Sequence, residues 1–225
     1  MISKKRILVF TASYNEKENI KKLILGIKDY LPEASILIID DNSPDQTKEI
    51  IKELKKNISQ LELIIREKKL GLDSAHRQAY DYAIKYHYNY LITMDADLQH
   101  HPRDIPKVLQ LLNEGHAVVS SWRYDRADEP AGKRIPSRIS NSLARLMTGV
   151  PAHDFGSGFK GYYAPRLRDL ILYGSFHRYI PALILQPQDT LGEVRIDYRD
   201  RIGGKTKYGA TRILKGVRDL IYITM

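Results

Sequence analysis

Short apolar runs alternate with helix-like stretches along the first half of the chain. Five runs rich in Ile, Leu and Val have the length and composition of buried strands. They cover residues 6–11, 35–39, 61–66, 90–94 and 117–121. Between them, apolar residues recur three and four positions apart, which predicts helices at 18–30, 46–56, 74–86 and 102–114. Strands that alternate with helices in this way predict βαβ units with right-handed crossovers, and so an α/β fold with a mostly parallel central sheet flanked by helices.

The second half of the chain has a less regular pattern. Residues 124–138 are rich in Arg, Lys, Pro and Gly and predict a basic loop. Helices are predicted at 137–147, at 166–172 and at 177–185, the last of them interrupted near Pro181, and alternation at 191–198 predicts an edge strand. No stretch approaches the roughly 20 apolar residues of a membrane-spanning helix, and no signal peptide opens the chain.

The end of the chain predicts an amphipathic helix over residues 213–225. Its apolar positions are Leu214, Val217, Leu220 and Ile221, with basic residues on the other face. We therefore predict one folded domain, residues 1–210, followed by an amphipathic segment, residues 211–225. A helix of this kind favours contact with a membrane surface, or packing on its own domain or a partner subunit.

Carboxylate side chains follow two of the predicted strands at their carboxyl ends. Asp40 and Asp41 come after the second strand, and Asp95 and Asp97 come after the fourth. Ligands of open α/β sheets bind at this edge, and Mg²⁺ prefers oxygen ligands, including carboxylates and substrate phosphates. The pattern predicts a site for a metal ion and a diphosphate, although an Asp-x-Asp alone is equally typical of a polar turn.

Composition and charge narrow the possible partners. The 225 residues include no cysteine, which excludes disulfides, a thiolate nucleophile and cysteine-ligated zinc. The 36 basic and 27 acidic residues give a net charge of +9. This excess favours an anionic partner such as a phosphorylated substrate, an acidic lipid surface or a nucleic acid, unless it is only a soluble basic surface.

Other motifs add less to the functional interpretation. No phosphate-binding Gly-x-x-x-x-Gly-Lys loop is present, and no Gly-x-Gly-x-x-Gly follows the first strand. His100 is close enough to the aspartates to bind a metal, but a histidine in such a loop is more typically solvated. The glycines in residues 154–160 predict close approach of the backbone to a ligand, and the basic, glycine-rich residues 199–209 suit either a phosphate clamp or a solvated turn.

Taken in order, these motifs resemble those of a known enzyme family. They are Ala-Ser-Tyr-Asn-Glu at 12–16, Ile-Asp-Asp-Asn-Ser-Pro-Asp at 39–45, Gly-Leu at 71–72, Met-Asp-Ala-Asp-Leu-Gln-His at 94–100, Ser-Gly-Phe-Lys at 157–160 and the basic segment 201–207. Together they resemble a family 2 glycosyltransferase of GT-A (Rossmann-like) fold. The branch that they resemble most contains dolichyl-phosphate mannose synthase and the polyprenyl-phosphate glycosyltransferases. In this family the catalytic domain is often followed by membrane helices, so the resemblance implies that residues 211–225 are juxtamembrane.

The resemblance implies inverting transfer of a sugar from a GDP- or UDP-linked donor to a polyprenyl phosphate at the cytoplasmic face of a membrane. It implies Mg²⁺ or Mn²⁺ as cofactor, no nucleic-acid partner, and a possible oligomer. The residues that it implies for the donor nucleotide sugar are Ala12, Tyr14, Glu16, Ile39, Asp41, Asp95, Ala96, Asp97, Gln99, Arg201 and Lys207, with Ala96 acting through its backbone. The metal would be bound by Asp95, Asp97 and Gln99, and the acceptor phosphate by Arg123, Arg138 and Ser142. The catalytic set would be Asp95, Asp97, Arg123, Arg138, Arg201 and Lys207.

Three other functions are compatible with parts of the sequence. A nucleotidyltransferase can share the sheet and the paired aspartates, but it usually has a glycine-rich basic loop after the first strand, which residues 12–17 do not form. A family 2 enzyme acting on a soluble glycan is disfavoured by the basic segments at 123–138 and near the end of the chain. A non-enzymatic module that binds nucleic acid or membrane would use the charge but would leave the paired aspartates unexplained.

Overall fold

The computed structural model describes residues 5–125, 131–168, 170, 172, 176–197 and 211–224. Its seven strands form one sheet, in the order β3-β2-β1-β4-β6-β5-β7. The strands are β1 (Ile7–Ser13), β2 (Ser35–Asp40), β3 (Leu61–Ile65), β4 (Tyr90–Thr93), β5 (Val118–Asp125), β6 (Lys160–Tyr163) and β7 (Leu191–Asp197). The strand β6 is antiparallel to its neighbours β4 and β5, whereas the other pairs are parallel.

Helices cover both faces of the sheet. They are α1 (Ile20–Tyr30), α2 (Thr47–Lys55), α3 (Leu72–Lys85), α4 (Ile105–Asn113), α5 (Ala131–Thr148), α6 (Ile180–Ile184) and α7 (Thr211–Thr224). Side chains alternate across the sheet, because successive residues of a strand point to opposite faces. Thus Ile7 and Val9 pack with α1, α2 and α4, while Leu8 and Phe10 pack with α3 and α6.

A third, smaller cluster lies where α5 and α7 meet. It contains Ala144 of α5 and Leu220 of α7 together with Phe155 and Tyr179. Leu220 is 1% exposed, whereas Ile221 and Tyr222 are 45% and 67% exposed. Of the predicted apolar face, Leu220 packs on the rest of the domain, which is one of the two alternatives left open for this helix, while Ile221 is half exposed. The division of the chain at residue 210 stays a prediction.

The five apolar runs and the four helices predicted between them are confirmed, with ends that differ by a few residues. The predicted edge strand at 191–198 is also confirmed, because β7 lies at the end of the sheet. No described helix is both long and apolar enough to cross a bilayer.

In the second half of the chain, three elements differ from the sequence analysis. Strand β6 was missed, because it starts with Lys-Gly and is not an apolar run. Helix α5 begins at Ala131 and continues through Pro136, inside the segment predicted as a basic loop. The predicted helix at 166–172 is a single 3-10 turn, Ala164–Leu167, followed by extended backbone at Arg168. The predicted helix at 177–185, interrupted near Pro181, agrees with the structure, which has a 3-10 turn, Phe176–Arg178, and then α6, with Pro181 in its first turn, where the missing N–H costs nothing.

Candidate active site

Residues from β1, β2, β4, β5 and β6 meet at one edge of the sheet. Parallel strands end at this edge, and the antiparallel β6 begins there, opposite Thr93 of β4 and Ser120 of β5. The loop before β6 is therefore brought beside the loops that follow β4 and β5. The sequence analysis predicted the loops after the parallel strands at this edge, but it did not predict the loop before β6 as their neighbour.

The two aspartates at the end of β2 have different surroundings. Asp40 is fully buried and accepts hydrogen bonds from Ser13 Oγ (2.7 Å), Ser43 Oγ (2.6 Å) and the Ser43 amide (2.7 Å). Asp41 is paired with the buried Arg66, whose Nε donates to Asp41 Oδ1 at 2.5 Å. Asp40 thus joins the ends of β1 and β2, while Asp41 is oriented by Arg66, a partner that sequence analysis missed.

The loop after β1 lies against the loop after β2. The amide of Asn15, which has a left-handed backbone, donates to Ser43 Oγ at 2.9 Å, and the amide of Glu16 donates to Thr47 Oγ1 at 2.9 Å. The ammonium of Lys69 lies 4.2 Å from the centre of the Tyr14 ring. Tyr14, Glu16 and Asp41 are therefore presented by adjoining loops, as the sequence predicted.

Two of the predicted nucleotide contacts, Ala12 and Ile39, have side chains that pack in the hydrophobic core. Ile39 belongs to the cluster under α3, and Ala12 packs against it. Ala96 is likewise buried, on the other face of the sheet. These three residues could reach a ligand only through their backbones, which for Ala96 is what the sequence analysis expected.

The paired aspartates after β4 differ in accessibility. The Asp95 side chain is 41% exposed, whereas Asp97 is buried and its Oδ1 accepts a hydrogen bond from the Gln99 amide at 3.2 Å. Leu98, which lies between Asp97 and Gln99, has a positive φ of 58°, and this turns the chain sharply. The turn gathers Asp95, Asp97 and Gln99 on one loop at the sheet edge.

These three residues suit a hard divalent ion that also binds phosphate. Across the described ranges, no three His, Cys, Asp or Glu side chains lie together in a way that could hold a metal by themselves. Two carboxylates with one amide oxygen nevertheless fit Mg²⁺ or Mn²⁺, because such ions typically take one or two carboxylates and complete their shell with substrate phosphates and water. The donor set therefore fits a metal that arrives with a diphosphate.

His100 is buried, so the prediction of a solvated loop histidine was wrong. Its Nε2 lies 3.2 Å from Ser157 Oγ, which in turn shares a 2.5 Å hydrogen bond with Ser121 Oγ. Burial, reinforced by the positive charge of Arg123, lowers the pKa of His100 to about 4. A neutral His100 thus links the loop after β4 to β5 and to the loop before β6.

Gly158 packs directly on the carboxylate of Asp95. A Cβ atom at position 158 would lie 2.6 Å from Asp95 Cγ, which is closer than side chains approach. The Gly158 carbonyl accepts a hydrogen bond from Thr93 Oγ1 at 2.8 Å, so the loop cannot simply retreat. Gly158 thus lies against a predicted metal-binding residue, and the expected approach of the 154–160 backbone to a ligand stays a prediction.

A cavity of about 580 Å³ lies beside this loop, between β5 and α5. Six of the residues that line it are Trp122, Arg123, Arg138, Ser142, Arg145 and Asp154. The structure therefore brings together all three residues predicted for the acceptor phosphate, from a strand and a helix. Arg145 was missed, although positions 138, 142 and 145 lie on one face of a helix, and its Nη2 donates to Ser142 Oγ at 3.3 Å.

Arg123 is held in the cavity wall by Asp154. Its Nε and Nη2 donate to the two carboxylate oxygens of Asp154 at 2.5 and 2.8 Å, and both side chains are largely buried. This two-point pairing fixes the plane of the guanidinium. The lining is also aromatic, since the rings of Trp122 and His153, the neighbours of Arg123 and Asp154 in the chain, stack with their centres 4.0 Å apart.

Two predicted residues, Arg201 and Lys207, lie outside the described residues. Their roles at the diphosphate stay predictions.

Comparison with known proteins identifies the family of the chain. Residues 8–170 match the family described as glycosyl transferase family 2. The chain belongs to glycosyl transferase family 2. The match begins in β1 and ends after β6, so it covers both the aspartate loop and the cavity.

Several curated proteins are similar along most of the chain. The dodecaprenyl-phosphate galacturonate synthase of Rhizobium johnstonii is 29% identical over 93% of the chain and 64% of its own length. The polyprenol monophosphomannose synthase of Mycolicibacterium smegmatis is 29% identical over 70% of the chain and 61% of its own length. The chain thus spans less than two thirds of the length of either relative.

Solved structures of other glycosyl-transferring enzymes share the fold. Glucosyl-3-phosphoglycerate synthase from Mycobacterium tuberculosis, in complex with Mn²⁺, UDP and phosphoglyceric acid, superposes with a TM-score of 0.70 and 18% identity, over 97% of this chain and 77% of that one. A mannosyltransferase from Pyrobaculum calidifontis, in complex with GDP-mannose and Mn²⁺, gives a TM-score of 0.69 at 15% identity, over 98% and 65%. The fold of this chain is therefore GT-A, as the sequence motifs implied.

Proposed function

We propose that this family 2 protein transfers a sugar from a GDP- or UDP-linked donor to a polyprenyl phosphate, with the aid of Mg²⁺ or Mn²⁺. One observation carries the proposal. The loop of Asp95 and Asp97, suited to a metal and a diphosphate, adjoins a cavity lined by Arg123, Arg138 and Arg145, suited to a second phosphate. The named activities of the similar curated proteins support the choice of polyprenyl phosphate as acceptor.

The donor would bind along the ends of β1, β2 and β4. Tyr14, Glu16 and Asp41 would hold the nucleoside, with Asp41 oriented by Arg66. Asp95, Asp97 and Gln99 would hold the metal, which when bound would stabilise negative charge on the leaving diphosphate as a Lewis acid. Both Mn²⁺ and Mg²⁺ suit oxygen ligands, and Mn²⁺ is present in the similar solved structures.

The acceptor phosphate would bind in the cavity. Arg138, Ser142 and Arg145 project from one face of α5, and Arg123 lies across from them on β5. Arginine binds phosphate through paired N–H groups, which orient the phosphate as well as hold it. The stacked Trp122 and His153 would lie beside the hydrocarbon that follows the phosphate.

The chemistry asks mainly for positioning and charge neutralisation. A phosphate monoester is already ionised near neutral pH, so the attacking oxygen needs no strong general base. One oxygen of the acceptor phosphate would attack the anomeric carbon of the sugar while the bond between that carbon and the diphosphate breaks. The configuration at the carbon would invert, and the nucleoside diphosphate would leave. The two anionic groups repel each other, which the arginines and the metal would offset.

A panel of nucleotide sugars tests the proposal directly. Each GDP- and UDP-linked sugar would be incubated with Mn²⁺ and a short-chain polyprenyl phosphate, and glycolipid and free nucleoside diphosphate would be measured. Transfer that depends on both the metal and the lipid phosphate is expected for at least one donor. Transfer to a soluble glycan and not to the lipid would contradict the proposed acceptor. Transfer of the nucleotidyl group in place of the sugar would indicate a nucleotidyltransferase.

Replacing Arg138 by alanine should weaken acceptor binding more than donor binding. A hydrogen-bonded charge pair contributes about 1.5–3 kcal/mol, so the KM for polyprenyl phosphate should rise about 10- to 100-fold. Steady-state kinetics with each substrate varied in turn would measure the two effects. Arg168→Ala removes an exposed arginine away from the cavity and serves as the matched control. An increase confined to the donor KM would assign Arg138 to the diphosphate instead.

We also propose that the α5–α7 side of the domain contacts the cytoplasmic face of a membrane. Ile139 and Leu146 on α5 and Ile221 and Tyr222 on α7 are exposed apolar side chains on two helices that pack together. Anionic lipid would add roughly 1 kcal/mol for each basic residue near the surface. This placement would bring the cavity to the phosphate of a membrane-embedded lipid.

Vesicle sedimentation tests this membrane contact. Removing all of α7 would also remove the buried Leu220, so the sharper variant is Ile221→Ser with Tyr222→Ser, which leaves Leu220 in place. Since burying one such side chain is worth about 1.5–3 kcal/mol, affinity for anionic vesicles should fall at least about tenfold. A double replacement at Tyr30 and Tyr86, exposed residues of α1 and the α3 end, is the control. Equal losses in both variants would contradict a contact through α7.

A further inference from the structure

Lys160, the first residue of β6, has a buried ammonium group. The residue is only 2% exposed. Its Nζ donates to the carbonyl of Phe155 at 3.1 Å and to the carbonyl of Ser157. Burying a charge is costly, and an apolar side chain of similar size would often be as stable or more so. The position therefore needs an explanation beyond packing.

The two carbonyls belong to the loop that separates the two proposed phosphate sites. Between them and Lys160 lies Gly158, which packs on the carboxylate of Asp95. Ser157 holds His100 and Ser121 through its hydroxyl. By fixing both ends of this turn, Lys160 fixes the surface on which Asp95 rests.

The charges around Lys160 come from both sites. Burial lowers the pKa of Lys160 to about 8, while Asp154 and Asp95 oppose this shift and Arg123 and Arg178 add to it. Asp154 is the carboxylate that orients Arg123 in the cavity wall. The ammonium thus lies within electrostatic reach of the metal-binding carboxylate on one side and of the arginine–aspartate pair on the other.

We propose that Lys160 is a positioning residue shared by the donor and acceptor sites, setting Asp95 through the 155–158 turn and the Arg123–Asp154 pair through its charge. The inference rests on the proposed function, and it names the residue that couples the donor site to the acceptor site. Lys160 contacts neither substrate. It acts through the residues that do.

Replacing Lys160 by methionine should therefore weaken both sites at once. A displacement of about 1 Å at a reacting group can cost about a hundredfold, so we expect at least about a tenfold loss at each site. Calorimetry would give the Mn²⁺-dependent Kd for GDP and UDP, and kinetics would give the KM for a short-chain polyprenyl phosphate. Lys160→Gln, whose amide keeps N–H donors on a shorter side chain without the charge, should show the same double loss and serves if the methionine variant does not fold.

Two controls separate positioning from stability. Lys55→Met removes an exposed lysine of α2 and should change neither constant. Gly161→Ala, in the same strand, would place a Cβ 2.9 Å from Leu112 Cδ1 in the core, so it should lower the melting temperature with both constants unchanged. These controls show whether a less stable domain alone weakens either site.

The outcomes are distinct for the two proposals. Lys160 variants that melt earlier but keep both constants would show a purely structural lysine and overturn the inference, as would a loss confined to one site. A parent protein without Mn²⁺-dependent nucleotide binding would overturn the proposed function itself. The expected result is that the Lys160 variants weaken both constants, while both constants stay unchanged in the two control variants.

Discussion

Replacing Asp97 by asparagine is expected to abolish Mn²⁺-dependent binding of the donor nucleotide while leaving the fold intact. Asp97 is buried at the end of β4, and its Oδ1 already accepts the Gln99 amide, which sets the direction of the carboxylate. Asparagine has nearly the same shape and can accept the same hydrogen bond, but it lacks the negative charge that attracts the cation. Since losing a group that only supports a metal ligand typically costs about 10- to 100-fold in metal affinity, losing the charge of a ligand itself should cost at least about 100-fold.

Calorimetry of GDP and UDP with and without Mn²⁺ would measure the binding loss, and circular dichroism would check the fold. The control is Asp104→Asn, a similarly buried aspartate at the start of α4 that pairs with Lys107. It should lower stability slightly and leave nucleotide binding unchanged. Metal-dependent binding by Asp97→Asn equal to that of the parent would remove Asp97 from the metal site.

Replacing Gly158 by alanine should have an effect of comparable size, although the added group is a single methyl. The new Cβ would lie 2.6 Å from Asp95 Cγ, so either Asp95 or the loop must move. The loop is held by Thr93 and Lys160, whereas Asp95 is the more exposed partner. We expect Asp95 to be displaced, with a loss of about a hundredfold in kcat/KM.

The matched control for this methyl group is Gly161→Ala, three residues along the chain. There the new Cβ meets Leu112 in the core and not a carboxylate, so melting temperature should fall more than activity. Activity would be measured at saturating acceptor over a range of Mn²⁺ concentrations. If Gly158→Ala required no more Mn²⁺ than the parent, the contact with Asp95 would have no functional weight.

The parallel part of the sheet could be predicted because its strands carry their own signal. Runs such as 35–39 are apolar on both faces, and helices at regular spacing separate them, so local patterns suffice. The same holds for the carboxylates at Asp41 and Asp95, whose positions at strand ends follow once the strands are known. For these residues the sequence pattern predicts their position in the fold, whereas their roles were predicted from the family resemblance.

Contacts that join distant segments could not be predicted in this way. Strand β6 has four residues and begins with a buried lysine, and only its pairing with β4 and β5 on both sides makes it a strand. The partners of Asp41 and Arg123 lie 25 and 31 positions away along the chain. No periodic pattern identifies such pairs, because they depend on how the strands are ordered in space.

The direction of β6 also bears on how new acceptors could arise in evolution. The chain leaves the sheet after β5, forms α5 and the 154–158 loop, and re-enters the sheet beside the strand that it left. This segment, from the end of β5 to the start of β6, begins and ends at the same edge of the sheet. Replacing the segment therefore requires no change in the order or direction of the other strands. If the proposed function holds, a single contiguous stretch of the gene could therefore be replaced to give a different acceptor, while the half proposed to bind the nucleotide stayed as it was.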